Sequence, residues 1–115
     1  MKAIFIDATK RQVSEVEISD TNTLNAWYKV IGCDMVEIAT YINDKDDSIL
    51  VDEEGLLKPL QSDSPFFTFE GAHQPFAGNG LIVGQDNEGE TTPLTVTVKD
   101  VESKITFLTF AEARK

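Results

Sequence analysis

Ser19-Asp20-Thr21-Asn22-Thr23-Leu24-Asn25-Ala26-Trp27-Tyr28-Lys29-Val30-Ile31-Gly32 is the stretch whose reading decides the fold. Ser19, Asp20, Thr21 and Thr23 offer side-chain oxygens to the backbone N–H groups that a helix leaves without partners in its first turn. Leu24, Trp27, Tyr28 and Ile31 recur at i, i+3, i+4 and i+7, which sets them along one face of a helix. Gly32 then supplies the left-handed residue that closes a helix at little steric cost. The spacing predicts one amphipathic helix, anchored by Trp27, whose apolar face must be buried against something.

The surroundings supply a sheet. Upstream, residues 2–6 carry β-branched Ile4 and Ile6, and residues 13–18 alternate imperfectly, so the two read as a hairpin turned by Ala8-Thr9-Lys10-Arg11. Downstream, residues 35–42 alternate with Val36, Ile38 and Ile42 on one face. A turn over 43–47 leads to a returning strand at 48–51, and residues 52–58 read as a turn ended by Pro59. Breakers crowd residues 61–79, which read as a loop, yet Phe66, Phe67, Phe69 and Phe76 are too apolar for a free one and should pin it to the core. Leu81-Ile82-Val83 reads as a short buried strand after Gly78-Asn79-Gly80, with a turn over 85–90. Thr97 and Asp100 resemble a capping pair, so a short helix is expected near 98–104, followed by a strand. The expected class is α+β: a small, mostly antiparallel sheet with one principal helix packed on it, in a single domain over 1–115. A doubly wound fold would need more helices.

Charge narrows the partners. Acids outnumber bases 20 to 10 in 115 residues, for a net charge of −10. The excess is local: residues 34–90 hold thirteen acids against Lys45 and Lys58, while the segments on either side are close to neutral. Such a field repels phosphates, which disfavours direct binding of DNA or RNA, and it attracts a basic partner or a cation. No stretch approaches the roughly 20 apolar residues of a membrane span. The apolar run after Met1 is too short for a signal peptide, and the one cysteine, Cys33, permits no internal disulfide; both fit the cytoplasm.

No reaction stands out. His73 could be a base or a ligand, but catalytic groups come as constellations and no second histidine exists, so a solvated loop residue is the plainer reading. Asp34 beside Cys33 would raise the thiol pKa, which suits a structural thiol. Asp44, Asp46 and Ser48 have the first spacings of a calcium loop, yet Ile49 stands where glycine is needed and Gly55 where the bidentate glutamate belongs. The glycines at 78, 80 and 84 surround a strand and do not precede a phosphate-binding helix; they read as tight packing at strand ends. No catalytic residue, cofactor or metal is therefore expected. Asp44, Asp46, Asp47, Asp52, Glu53, Glu54, Asp86, Glu88 and Glu90 are the candidate interaction surface, facing a basic host or phage protein. The alternative is a small-ligand binder or enzyme with a pocket near the phenylalanine-rich loop 65–76. Oligomeric state is left open.

Three runs carry a family resemblance: Met1-Lys2-Ala3-Ile4-Phe5-Ile6-Asp7, Leu50-Val51-Asp52-Glu53-Glu54-Gly55-Leu56-Leu57-Lys58, and Gly78-Asn79-Gly80-Leu81-Ile82-Val83-Gly84 with its acidic turn. In order and spacing the chain resembles domain of unknown function 3846 over nearly its whole length. It departs from that pattern at Gln61-Ser62-Asp63, where an asparagine would follow the proline-leucine step. That family is found in bacteria, phages and plasmids, so the resemblance implies a small accessory protein of mobile elements, and it implies no catalytic residue.

Overall fold

The computed structural model describes residues 2–18, 23–32, 35–42, 47–53, 60–72, 75–85, 91–94 and 96–113. The elements are β1 (Lys2–Asp7), β2 (Gln12–Glu17), α1 (Thr23–Ile31), β3 (Val36–Ile42), β4 (Asp47–Asp52), β5 (Pro65–Phe69), β6 (Phe76–Ala77), β7 (Gly80–Gln85), β8 (Thr91–Thr92), α2 (Val98–Glu102), β9 (Ile105–Thr109) and α3 (Phe110–Ala113). The larger sheet runs β2-β1-β7-β4-β3. β8 extends it along β7, at Gly84 and Gln85, beyond the stretch that β1 occupies. A second sheet runs β6-β5-β9. Every strand pair among the described residues is antiparallel.

The larger sheet is covered on both faces, and the alternation of its central strands sorts the core in two. Ile4, Ile6, Ile49, Val51 and Ile82 face the second sheet and pack with Phe67, Phe69, Phe76 and Val101. Ala3, Leu50, Leu81 and Val83 point the other way and pack with Ile31, Trp27 and Val30 of α1. Strands buried on both faces read as near-continuous apolar runs, as Ala3-Ile4-Phe5-Ile6 and Leu81-Ile82-Val83 do. The molecule is thus layered as helix, sheet, sheet.

Most of the expected elements stand where the spacing puts them. Gly32 has φ +84°, and its N–H donates to the Tyr28 carbonyl at 2.8 Å, closing α1. The buried face of α1 is turned slightly from the expected one. Ala26, Trp27, Val30 and Ile31 meet the sheet, Tyr28 is half-buried at the side, and the Leu24 side chain lies outside the described residues. The indole Nε1 of Trp27 is buried and has no hydrogen-bond partner among the described residues.

Three expectations are corrected. Residues 61–79 are not simply a pinned loop: Phe66-Phe67 and Phe69 lie on β5 and Phe76 on β6, so the breakers mark the ends of short strands. The strict alternation from Val36 to Ile42 fails, because the β3–β4 register shifts between Ile38 and Thr40 and sets Ile42 opposite Asp47. Asp47 does not belong to the preceding turn; it opens β4 and is fully buried.

The short helix α2 owes its start to the capping pair. The Asp100 N–H donates to Thr97 Oγ1 at 3.2 Å, and the Thr97 N–H donates to Asp100 Oδ2 at 3.1 Å. The Thr97 backbone N–H, then its hydroxyl, then the more distant Lys104 charge hold the Asp100 carboxyl below its ordinary value of 3.8. A carboxyl depressed in the folded state stabilises the fold above its unfolded pKa and loses that contribution as the pH falls through the folded one. Asp100→Ala should therefore lower Tm at pH 7, and the gap to wild type should narrow as the pH falls below 3.8, a difference that scanning calorimetry above and below that value reads directly.

Candidate functional site

A cleft of about 240 Å³ opens at the end of the larger sheet where α1 stops. Its walls come from the β1–β2 turn at Thr9, from Ile31 and Gly32, from Asp52 at the end of β4, and from Leu60, Ser64 and Pro65. Ala77, Gly78 and Asn79, between β6 and β7, complete it.

Local chemistry holds these pieces in place. Gly78 has φ +78°, and its N–H donates to the Pro65 carbonyl at 2.9 Å, which ties the approach to β7 to the start of β5. Asn79 Oδ1 accepts the Ala8 N–H at 2.9 Å across 71 residues of sequence, binding the first hairpin to the same corner. That bond occupies the amide oxygen and leaves the NH2 group as the side chain's donor. Ser64 Oγ accepts the Gln61 N–H at 2.9 Å, while the Ser64 N–H donates to the Gln61 carbonyl at 3.0 Å, so a closed turn forms the rim.

The wall is mixed: Ile31, Leu60, Pro65 and Ala77 are apolar, and Asn79 adds a donor. It presents the half-buried Asp52 carboxylate, the hydroxyls of Thr9 and Ser64, and the C-terminal end of α1, where the last carbonyls and the helix dipole are negative. An anion is disfavoured there, and an ammonium, a guanidinium or another donor group is favoured. Among the described residues no three His, Cys, Asp or Glu side chains gather as metal ligands.

The candidate surface residues divide. Glu53 is exposed at the end of β4 and its N–H donates to the Met35 carbonyl at 3.0 Å. Glu37, exposed on β3 opposite Val51, falls on the same face as Glu53 by register. Asp52, paired with Val36, faces the other side of the sheet and lines the cleft. Asp47 is withdrawn from any exposed surface, since it is buried between Ile42 and Gly84 in the ladder. Ser48 is buried in the same strand, which removes the third position of the calcium-loop spacing. Asp44, Asp46, Glu54, Asp86, Glu88 and Glu90 lie outside the described residues, as do His73 and Cys33 with Asp34. Phe66, Phe67, Phe69 and Phe76 are all buried.

Two of the three runs that carry the resemblance line this cleft, and the other leads into it. The first leads into Ala8 and Thr9, the second contributes Asp52, and the third contributes Gly78 and Asn79. A family model for a domain of unknown function, DUF3846, matches residues 1–106. The chain belongs to the DUF3846 family. The match runs from β1 to the first residues of β9, so every strand of the larger DUF3846 sheet and the whole cleft lie within it. No curated protein and no solved structure matches the chain. Asn79 is the residue that reading the sequence passed over, because Gly78 and Gly80 on either side drew the explanation to packing.

Proposed function

We propose that this DUF3846 member is a non-enzymatic binding module, an accessory protein of a phage or mobile element that engages a basic protein surface in the bacterial cytoplasm. The observation that carries this reading is the concentration of acid: thirteen acidic residues against Lys45 and Lys58 over residues 34–90. Glu37 and Glu53 stand exposed on one face of the sheet edge, and the Asp52 carboxylate lines the cleft from the other. A Lys or Arg side chain of the partner suits that cleft, and the same field turns nucleic acid away.

The test is capture from host lysate by the tagged protein, with Asp44, Asp46, Glu53 and Glu54 reversed to Lys in a second bait. Asp47 is left unchanged because reversing a buried carboxylate would break the fold before it tested binding. The wild-type bait should retain basic proteins that are released as salt rises from about 0.05 to about 0.5 M, where the screening length falls well below 10 Å. The reversed bait should retain none of them. An unchanged set of retained proteins would defeat the reading. A small ligand held by Asp52, Ser64 and Asn79 is the second reading, and retention of a small molecule that survives both reversal and high salt would favour it.

A further inference from the structure

We infer that the outer edge of β3, over Met35–Ile38, is a docking edge that takes an extended basic segment of the partner as an added strand. The inference rests on the proposed function for the partner's charge, and on the ladder itself for the mode of binding.

The ladder shows which backbone groups face outward. Val36 lies opposite Asp52, and the Glu53 N–H donates to the Met35 carbonyl at 3.0 Å. In an antiparallel pair this pattern makes Val36–Asp52 a non-hydrogen-bonded pair, so the N–H and C=O of Val36 point away from β4. Two residues on, Ile38 opposite Leu50 repeats the arrangement. β3 ends the order of the larger sheet, so these groups meet no further strand among the described residues. The register shift after Ile38 breaks the row, which limits the edge to about four residues.

The side chains specify the occupant. Met35 and Ile38 are the exposed large hydrophobic residues of the described chain, at 47% and 41%. Ile38 shares the α1 face with Leu50, whereas Glu37 points to the opposite face with Glu53 as its diagonal neighbour. Asp34 and Asp44 flank the strand in sequence. An incoming strand would place apolar side chains beside Ile38 and every alternate side chain beside Glu37, so the complement is a Lys/Arg–apolar alternation. A second copy of the chain is a poor occupant, since it brings a net charge of −10 to a surface of the same sign. The opposite edge, β2, has α2 packed beside it and offers no large exposed apolar side chain.

The test uses the full chain, labelled with nitrogen-15, and two synthetic probes: an acetylated, amidated (Lys-Val)3 peptide and its (Glu-Val)3 counterpart. At low salt the lysine peptide should slow exchange of the Val36 and Ile38 amides at least about tenfold, and the glutamate peptide should not. Ile38→Pro removes an N–H that the β3–β4 ladder does not use, so the fold should persist, as circular dichroism checks, while affinity for the lysine peptide drops at least about tenfold. Ile38→Thr keeps the N–H, supplies a second variant if proline unfolds the chain, and should weaken binding less. Salt-sensitive binding of the lysine peptide that leaves Val36 and Ile38 unprotected, or that Ile38→Pro does not weaken, overturns the edge and leaves the basic-partner reading standing. Equal binding of both peptides, or of neither, overturns both. Protection of Val36 and Ile38 by self-association, seen in sedimentation without peptide, overturns the assignment to a basic strand.

Discussion

Phe67→Ala lowers stability by about 3–5 kcal/mol, with a fall in Tm on the order of 12–20 °C, readable by urea titration and calorimetry. Phe67 is fully buried and sits where the two sheets meet. Its ring lies 5.3 Å from that of Phe76, tilted by 57°, an edge-on arrangement that favours the pair beyond its buried area. It also rests against Gly80 of β7. Truncation removes the ring from water-free surroundings and leaves a space that two hydrogen-bonded sheets cannot close on easily. A domain of this size has about 5–15 kcal/mol in total, so the loss takes a large part of it. Phe66→Ala should cost less. Phe66 points to the outer side of the small sheet, where it stacks on the half-buried Phe110 at 5.5 Å. A Phe67→Ala protein that melts within a few degrees of wild type would mean that the contact between the sheets is not where the fold's stability lies.

That contact is also where reading the sequence stopped. The two hairpins, α1, its glycine stop and the Thr97–Asp100 cap were legible because each is a local device: a periodicity, a turn or a capping pair. The second sheet was not. β6 has two residues and β5 has five, joined through Gly71 and Pro75, so turn residues outvote strand residues in any short window. β5 takes most of its pairing from β9, some forty residues later, through Pro65↔Thr109 to Phe69↔Ile105. No local pattern announces such a partner. The aromatic content of 65–76 did show that the segment is buried, which is a statement about water and not about pairing.

The candidate site follows the same division. Its acids were visible in composition, but composition counts Asp47 with Glu53, and the fold separates them: one is inside a central ladder, the other stands at an exposed strand end. The cleft is built from turns brought together over the length of the chain, and the Ala8–Asn79 bond alone spans 71 residues. What each turn residue contributes is set by φ, by one hydrogen bond or by one close approach, none of which leaves a periodic trace.

Gly80→Ala should destabilise the protein by about 1–3 kcal/mol, although removing a glycine from a strand ordinarily helps. The usual gain is about 0.5–1 kcal/mol, because alanine has less backbone freedom to lose. Gly80 is paired on both sides, with Ile6 of β1 and Val51 of β4, and its φ is not in the left-handed region, so no backbone strain opposes alanine. Space opposes it. A Cβ at this position would lie 2.7 Å from Phe67 Cζ, 3.2 Å from Cε1 and 3.5 Å from Ile6 Cδ1. The near atom is the end of a ring, but the ring is fully buried and held by Phe76, so it cannot swing clear without opening the interface between the sheets. If this is the cause, shortening the ring should relieve it: Gly80→Ala on a Phe67→Leu background should cost less than on wild type, with a coupling of about 0.5–3 kcal/mol in the double-mutant cycle. The displacement has a second readout, because Gly80 adjoins Asn79. A β7 pushed away from Phe67 should loosen the bond from the Ala8 N–H to Asn79 Oδ1, and faster exchange of the Ala8 amide in Gly80→Ala would report it. Additive costs in the cycle, with Ala8 protected as in wild type, would place the role of Gly80 elsewhere than in the approach of the two sheets.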